Sequence, residues 1–231
     1  MIPFRDDVPA RRYPIVTVGI ILCNLFAFGY ELTLPPAELQ GLIDRLGVVP
    51  VRFEDATASS LPALLPSLIG SMFLHGGWFH LLGNMWFLWI FGDNVEDRMG
   101  HLRFSIFYLL CGLFGSFAHI LFTPGSAVPA IGASGAVAGV LGAYLVSYPF
   151  ARVLTLVPLF LFWPIIELPA IVVLGSWFFI QLLNGIAAVA VTSETAAGVA
   201  WWAHVGGFLC GIALISAFAR KPGTRKRKPS W

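Results

Sequence analysis

The chain has 231 residues, of which 58% are hydrophobic and only 11% are charged. A soluble domain usually carries about 25% charged residues, so this chain has too little polar surface to coat a water-soluble globule. The composition excludes a cytosolic enzyme, a disordered chain and a nucleic-acid-binding module, and we expect no nucleic-acid partner. Because a membrane-spanning helix needs about 20 apolar residues, we predict a single all-α polytopic membrane domain.

Long stretches without formal charge place the predicted spans. The longest, 48 residues between Arg103 and Arg152, is interrupted by the Pro-Gly pair at 124–125, a turn signal that divides it into two spans. Six spans are predicted, over 13–31, 74–92, 103–122, 131–149, 167–186 and 199–219. Residues 153–166 are apolar but too short and too rich in proline to cross, so we predict an interfacial or re-entrant segment there.

The distribution of basic residues favours six spans over seven. Six spans place 12 basic residues on one side of the membrane and only Arg45 and Arg52 on the other. Since basic loops remain cytoplasmic, both termini are predicted inside, whereas a seventh span would send the basic tail outside. We therefore divide the chain into a membrane domain, 1–219, and a basic cytoplasmic tail, 220–231, which is expected to touch anionic membrane lipid.

Cysteine and metal motifs point to no cofactor. The three cysteines all fall in predicted spans without a CxxC pair, which predicts no disulfide framework. No HExxH motif is present, and no aspartate lies inside a span. We expect neither a metal nor another cofactor.

The few strongly polar residues of three spans lie at one depth. His80 and Asn84 fall near the start of the second span, Ser134 near the start of the fourth and His204 near the start of the sixth. These spans all enter from the outer face, and at about 1.5 Å per residue the four side chains lie within about 15 Å of that surface. Each alone is compatible with packing, but together they predict a shared site. For three further polar residues near predicted helix ends we expect a packing role: His119, Gln181 and Asn184.

Small residues four apart follow the serine and the histidine directly. Such pairs allow close approach of helix backbones in a membrane. The pairs are Gly135 with Gly139, and Gly207 with Gly211. Contact between these faces would bring Ser134 Oγ within hydrogen-bond reach of His204.

These residues supply the parts of an acyl-transfer site. A histidine can take the proton of a serine nucleophile. His80, Asn84 and the unpaired backbone N–H groups at the start of the fourth span can receive an oxyanion. No acidic residue lies in the spans at that depth, so we predict a Ser–His dyad. The sequence leaves open what orients His204, with Trp201 and Trp202 as candidates.

Four short motifs, in order, resemble those of the rhomboid intramembrane serine proteases. They are His75-x4-His80-x3-Asn84, Glu96-Asp97-Arg98 followed by Gly100, Gly132-Ala133-Ser134-Gly135, and Gly198-x4-Ala203-His204-x2-Gly207-x3-Gly211. The resemblance extends over nearly all of the chain. It implies a six-helix rhomboid-like bundle and a protease that cuts in or beside the transmembrane segment of single-span membrane proteins.

The resemblance also assigns roles. Ser134 would be the nucleophile and His204 the general base and then acid, with Asn84, His80 and the Ser134 N–H as the oxyanion hole. Gly132 would shape the entry to the fourth span, and Glu96 and Arg98 would hold the cytoplasmic loop. His75 would support the outer loop or water access, without a chemical role. The fifth span would be the mobile side through which substrate enters.

Two positions differ from the pattern common in the family. Pro66-Ser67 stands where a Trp-Arg pair is frequent, and Ala138 stands where some members carry an aromatic residue one turn after the serine.

Two other functions remain open at this stage. One is a catalytically inactive rhomboid-like protein that binds membrane clients, and the other is a small transporter. The compact form suggests a bacterial plasma membrane, with the active site towards the extracytoplasmic side. The oligomeric state and the substrate cannot be read from the sequence.

Overall fold

The computed structural model describes residues 1–159, 161–190 and 199–220. Its helices are α1 (Ile15–Glu31), α2 (Pro36–Leu46), α3 (Pro50–Glu54), α4 (Leu61–Gly70), α5 (Trp78–Met99), α6 (His101–Phe122), α7 (Ser134–Ser147), α8 (Ala170–Ala190) and α9 (Trp201–Phe218). A single 3-10 turn, Ser71–Phe73, follows α4. The strands are β1 (Ile2–Asp6), β2 (Arg152–Leu156) and β3 (Ile165–Pro169).

A long helix lies in each of the six predicted spans: α1, α5, α6, α7, α8 and α9. By length and composition, three of the described helices, α6, α8 and α9, are long and apolar enough to cross a membrane. The apolar helices α1 and α7 are shorter, at 17 and 14 residues. Large apolar side chains point outwards around the bundle, among them Phe26, Phe79 and Leu121. Such surface suits lipid rather than water, so the fold is that of a mostly helical membrane protein.

Helix α7 forms the centre of the bundle. Every residue from Gly135 to Tyr144 is buried. This helix can be surrounded on all sides because it carries mostly alanine, glycine and valine, which let neighbouring helices approach closely. The helices packed around it are α5, α6, α8 and α9.

A short sheet corrects the all-α prediction. The antiparallel strands run in the order β1-β2-β3, with Ile2 opposite Leu156 and Arg152 opposite Pro169. Of the predicted interfacial or re-entrant segment, residues 153–156 and 165–166 belong to the paired strands β2 and β3. The strands correct the re-entrant interpretation, and the interfacial one stays a prediction. In β2, Val153 and Thr155 point to the buried side while their neighbours are more exposed, the alternation typical of a strand with one buried face.

The connection between α1 and α5 is also more ordered than a simple loop. It contains α2, α3, α4 and the 3-10 turn. By contrast, α5 and α6 are joined by the single residue Gly100, whose φ of +82° favours glycine. This tight turn fixes α6 beside α5.

Glu96, at the far end of α5, holds the start of α1. Its carboxylate accepts hydrogen bonds from the backbone N–H groups of Val16 (2.9 Å) and Thr17 (2.7 Å), and from Thr17 Oγ1 (2.7 Å). The first turn of a helix leaves such N–H groups without intrahelical partners. Glu96 satisfies them and thereby ties α1 to α5.

Candidate active site

Ser134 is the first residue of α7, at the end of the bundle where α5, α7 and α9 all begin (the Ser134 end). Two residues earlier, Gly132 has φ +124°, a conformation that side-chain-bearing residues rarely adopt. A Cβ at Gly132 would lie 2.6 Å from His80 Nε2 and 3.7 Å from Ser134 Oγ. Gly132 therefore permits the backbone before α7 to lie against the His80 ring, which places His80 close to the serine.

The first two turns of α5 carry His80 and Asn84. Asn84 is buried, and its Nδ2 group has no hydrogen-bond partner. A buried donor without an acceptor is unfavourable, so this group is available to a ligand atom. The His80 ring packs edge-on against the ring of His75, with centroids 5.1 Å apart.

His75 is held by Glu31, a residue for which no role is predicted from the sequence. The backbone N–H of His75 donates to the carboxylate of Glu31, at the end of α1, with N···O distances of 3.2 and 3.4 Å. The two ring nitrogens of His75 are buried without partners. The resemblance implied support of the outer loop by His75, and the contact observed there is this link between α1 and the segment before α5.

Helices α7 and α9 touch through their glycines, as the sequence predicted. The carbonyl oxygen of Gly135 occupies the place that a Cβ at Gly207 would need, and Gly139 O does the same for Gly211. The carbonyl of Ala203 also lies 2.7 Å from the Cβ position of Gly115 on α6. Three helices thus meet with backbone contact directly below the Ser134 end.

His204 is the fourth residue of α9 and is buried at this junction. Its Nδ1 lies 2.8 Å from Gln181 Oε1 on α8. Within the described residues this is the one hydrogen bond of the His204 ring, and none joins it to Ser134. The sequence predicts a packing role for Gln181, because no companion for it can be identified there. The structure supplies that companion, His204, which lies 23 residues away on another helix.

Two tryptophan rings flank His204. Trp177 on α8 lies 5.9 Å from the imidazole and Trp201 lies edge-on at 6.1 Å. Trp202, the other candidate from the sequence, instead stacks on Phe122 with centroids 4.3 Å apart. Of the two candidates, Trp201 is the one that contacts His204.

A small recess opens beside the serine. Its lining includes Ser134, Gly132, Ala203, Ser116 and His119. The sequence had assigned His119 to packing, yet its Nδ1 is buried here without a partner. The lining is mostly small and apolar, and Ser116 and His119 add polar groups on the side facing α6. In the described part of the chain, no cluster of His, Cys, Asp or Glu is suited to hold a metal ion.

The loop residues predicted to be structural lie at the opposite end of the bundle. Besides holding α1, the Glu96 carboxylate lies 2.5 Å from His101 Nδ1. Arg98 contributes its carbonyl, which accepts the backbone N–H of Arg220 at 2.9 Å. Of the family-like motifs and the tail, Gly198 and residues 221–231 lie outside the described residues.

The same end carries two partly buried carboxylates outside the predicted spans. Asn94 Nδ2 donates to Asp6 (3.0 Å) and to Asp93 (3.0 Å), and Tyr144 OH also donates to Asp6. Burial raises the pKa of Asp93 to about 6, and burial also raises the pKa of Asp6 above its ordinary value. Neither group lies at the Ser134 end.

The structure is a helical membrane bundle. A serine begins its buried central helix, and a histidine lies on the adjoining helix, as the sequence motifs implied. The family model for the Rhomboid domain matches residues 64–221, and the chain belongs to the rhomboid family.

Curated relatives agree with this assignment. The chain is 34% identical over 151 residues to RHOMBOID-like protein 6, mitochondrial, of Arabidopsis thaliana, covering 64% of this chain and 41% of the relative. It is 31% identical over 157 residues to Rhomboid protein 1, mitochondrial, of Saccharomyces cerevisiae, covering 63% and 40%. Rhomboid protease GluP of Bacillus subtilis is 44% identical over 78 residues, covering 34% and 15%. The matched segments thus span at most about two fifths of these relatives' length.

Proposed function

We propose that the chain is an intramembrane serine endopeptidase that cuts in or beside the transmembrane segment of single-span membrane proteins. The observation that carries this function is the unpartnered, buried Nδ2 of Asn84 at the end of the bundle where Ser134 begins α7. A donor kept free in a buried site suits an oxyanion that exists only during the reaction. The glycine contacts bring α9, which carries the proposed base His204, close to α7.

The proposed reaction is acyl transfer. Ser134 Oγ attacks the scissile carbonyl carbon while His204 takes its proton. The oxyanion that forms accepts hydrogen bonds from Asn84 Nδ2, the His80 ring and the backbone N–H of Ser134. The tetrahedral intermediate then collapses, the C–N bond breaks, and His204 gives its proton to the departing amine. Water, activated by His204, hydrolyses the acyl-enzyme and regenerates Ser134.

The absence of a Ser134–His204 hydrogen bond is compatible with this mechanism. Catalytic hydrogen bonds are often long or poorly aligned without substrate and shorten in the complex. The α7–α9 contact already holds the two helices at close range, because Gly135 and Gly207 meet backbone to backbone.

The proposed topology has six spans with both termini cytoplasmic. Helices coincide with all six predicted spans, and the excess of basic residues on one side supports the orientation. Residues 1–219 would form the membrane domain and 220–231 a lipid-contacting tail. This orientation puts the Ser134 end towards the extracytoplasmic side of a bacterial plasma membrane.

A serine-reactive fluorophosphonate probe tests the function on purified protein in detergent, with a model transmembrane substrate in parallel. The wild type should be labelled and should cleave, and Ser134→Ala and His204→Ala should do neither. Ser147→Ala is the matched control, since Ser147 ends the same helix far from the site and should leave both readouts intact. A folded wild type that neither labels nor cleaves would contradict the protease and favour the inactive, client-binding alternative.

A further inference from the structure

Gln181 is a buried amide in a helix that is otherwise mostly apolar. Apart from Ser176, Gln181 and Asn184, α8 consists of apolar residues and glycine from Ala170 to Ala190. Of these three, Gln181 is the buried one. An amide buried in a membrane protein is unfavourable unless it is hydrogen-bonded. Its side-chain oxygen meets His204 Nδ1 at 2.8 Å, which accounts for its burial at this position.

With Gln181 Oε1 facing the ring, this contact favours a proton on Nδ1 of His204. An amide oxygen can only accept, so the hydrogen bond requires a proton on Nδ1. In the neutral ring, Nε2 then carries the lone pair. No described residue bonds to Nε2, which leaves it free to accept a proton from a nucleophile.

We propose that Gln181 is the positioning residue of the dyad: it holds His204 in the Nδ1–H tautomer with Nε2 available as the base. This role rests on the proposed function, since it matters only if His204 takes a proton from Ser134. A buried acid performs the same task in serine-protease triads, and the predicted spans hold no aspartate to do so. A neutral amide does it without adding a buried charge.

The flanking rings complete the positioning. Trp177 and Trp201 lie against His204 and limit its tilt. Rings that pack by shape do not distinguish one tautomer from the other. Gln181 supplies that distinction, and it does so from α8, a different helix from the one that carries the histidine.

Gln181→Met tests the role by removing the acceptor while keeping a side chain of similar length. We expect kcat to fall by about 10-fold or more with little change in KM, because the substrate still binds but the base is present in the wrong form. Gln181→Glu retains an acceptor oxygen and should restore most of the activity. Asn184→Leu is the matched control: it removes an amide one turn along α8 that has no described partner, and it should cleave like the wild type.

A spectroscopic measurement separates positioning from packing. In protein with 15N-labelled histidine, the His204 ring signals, assigned with His204→Ala, should show a proton on Nδ1 in the wild type and on Nε2 in a large fraction of Gln181→Met. Suppose that the wild type labels with fluorophosphonate, and that Gln181→Met has the same spectrum and the same kcat as the wild type. The positioning role of Gln181 is then overturned, while the proposed protease function is retained. If the wild type itself is not labelled, the proposed protease function is wrong, and so is the positioning role of Gln181 that depends on it.

Discussion

The carbonyl oxygen of Gly135 lies where a side chain at Gly207 would have to be. Helices α7 and α9 therefore touch backbone to backbone one residue beyond Ser134 and three residues beyond His204. Neither helix can shift towards the other, and any added atom at this point forces them apart. The separation of the proposed nucleophile and base is thus set by two glycines.

Gly207→Ala should disrupt both stability and activity. Overpacking at a tight contact typically costs about 1–3 kcal/mol. Displacing reacting groups by about 1 Å can lower the rate about 100-fold. Thermal unfolding in detergent and cleavage of the model substrate measure the two effects. Gly19→Ala, on α1 with nothing within 4 Å of its Cβ position, is the control and should be neutral or stabilising. Normal cleavage by Gly207→Ala would show that the α7–α9 spacing is not critical.

Asn84→Ala should lower turnover without lowering stability. Loss of one oxyanion donor typically reduces kcat about 100- to 1000-fold. Because Nδ2 of Asn84 has no partner in the structure, its removal breaks no hydrogen bond of that group. Cleavage kinetics and thermal unfolding on the same preparation measure both properties. Turnover equal to that of the wild type would make the oxyanion assignment wrong.

Glu96→Gln should destabilise the protein while leaving the Ser134 end intact. The Glu96 carboxylate accepts three hydrogen bonds from Val16 and Thr17 and is 1% exposed. An amide replaces one acceptor oxygen by a donor, and hydrogen bonds to buried charged groups are worth about 1.5–3 kcal/mol each. The unfolding midpoint in detergent should fall clearly.

Glu167→Gln is the control for this experiment. Glu167 pairs with Arg152 at 3.1 Å, but both side chains are more than half exposed, at 53% and 70%. Exposed ion pairs contribute at most about 1 kcal/mol. Equal destabilisation by the two substitutions would mean that Glu96 does not hold α1 in the way the geometry indicates.

The stability of the protein should depend on pH through Asp93. Burial raises the pKa of Asp93 from 3.8 to about 6, so the folded state binds this proton more tightly than the unfolded state. The contribution of Asp93 to stability is therefore full below pH 3.8 and is lost as the pH rises through about 6. Asp93→Asn should flatten this decline in the unfolding midpoint. An unchanged slope between these pH values would exclude Asp93 as its source.

The helices could be predicted because their signal is local. Charge-free stretches located α1 and α5 to α9, and the spacing of Gly135, Gly139, Gly207 and Gly211 indicated the contact between α7 and α9. Each inference needed only composition and a repeat within one segment. The backbone conformation of Gly132 likewise fits its place before the serine.

The sheet and the polar partners could not be predicted because they are non-local. Strand β1 pairs with residues about 150 positions away, and nothing in residues 2–6 indicates that register. The two prolines in 153–166, Pro158 and Pro164, lie in the connection between β2 and β3. Gln181 and Glu31 acquire their roles only through His204 and His75, which lie on other parts of the fold.

The sheet also holds the first residues of α8. Strand β3 ends at Pro169 and α8 begins at the next residue, so no loop residue separates the helix from the sheet. A helix that is held at one end moves least near that end and most at its free end. Gln181 lies about 17 Å along the helix from Ala170, near the middle of α8. A movement of the far end of α8 would therefore displace the Gln181–His204 contact less than it displaces that end.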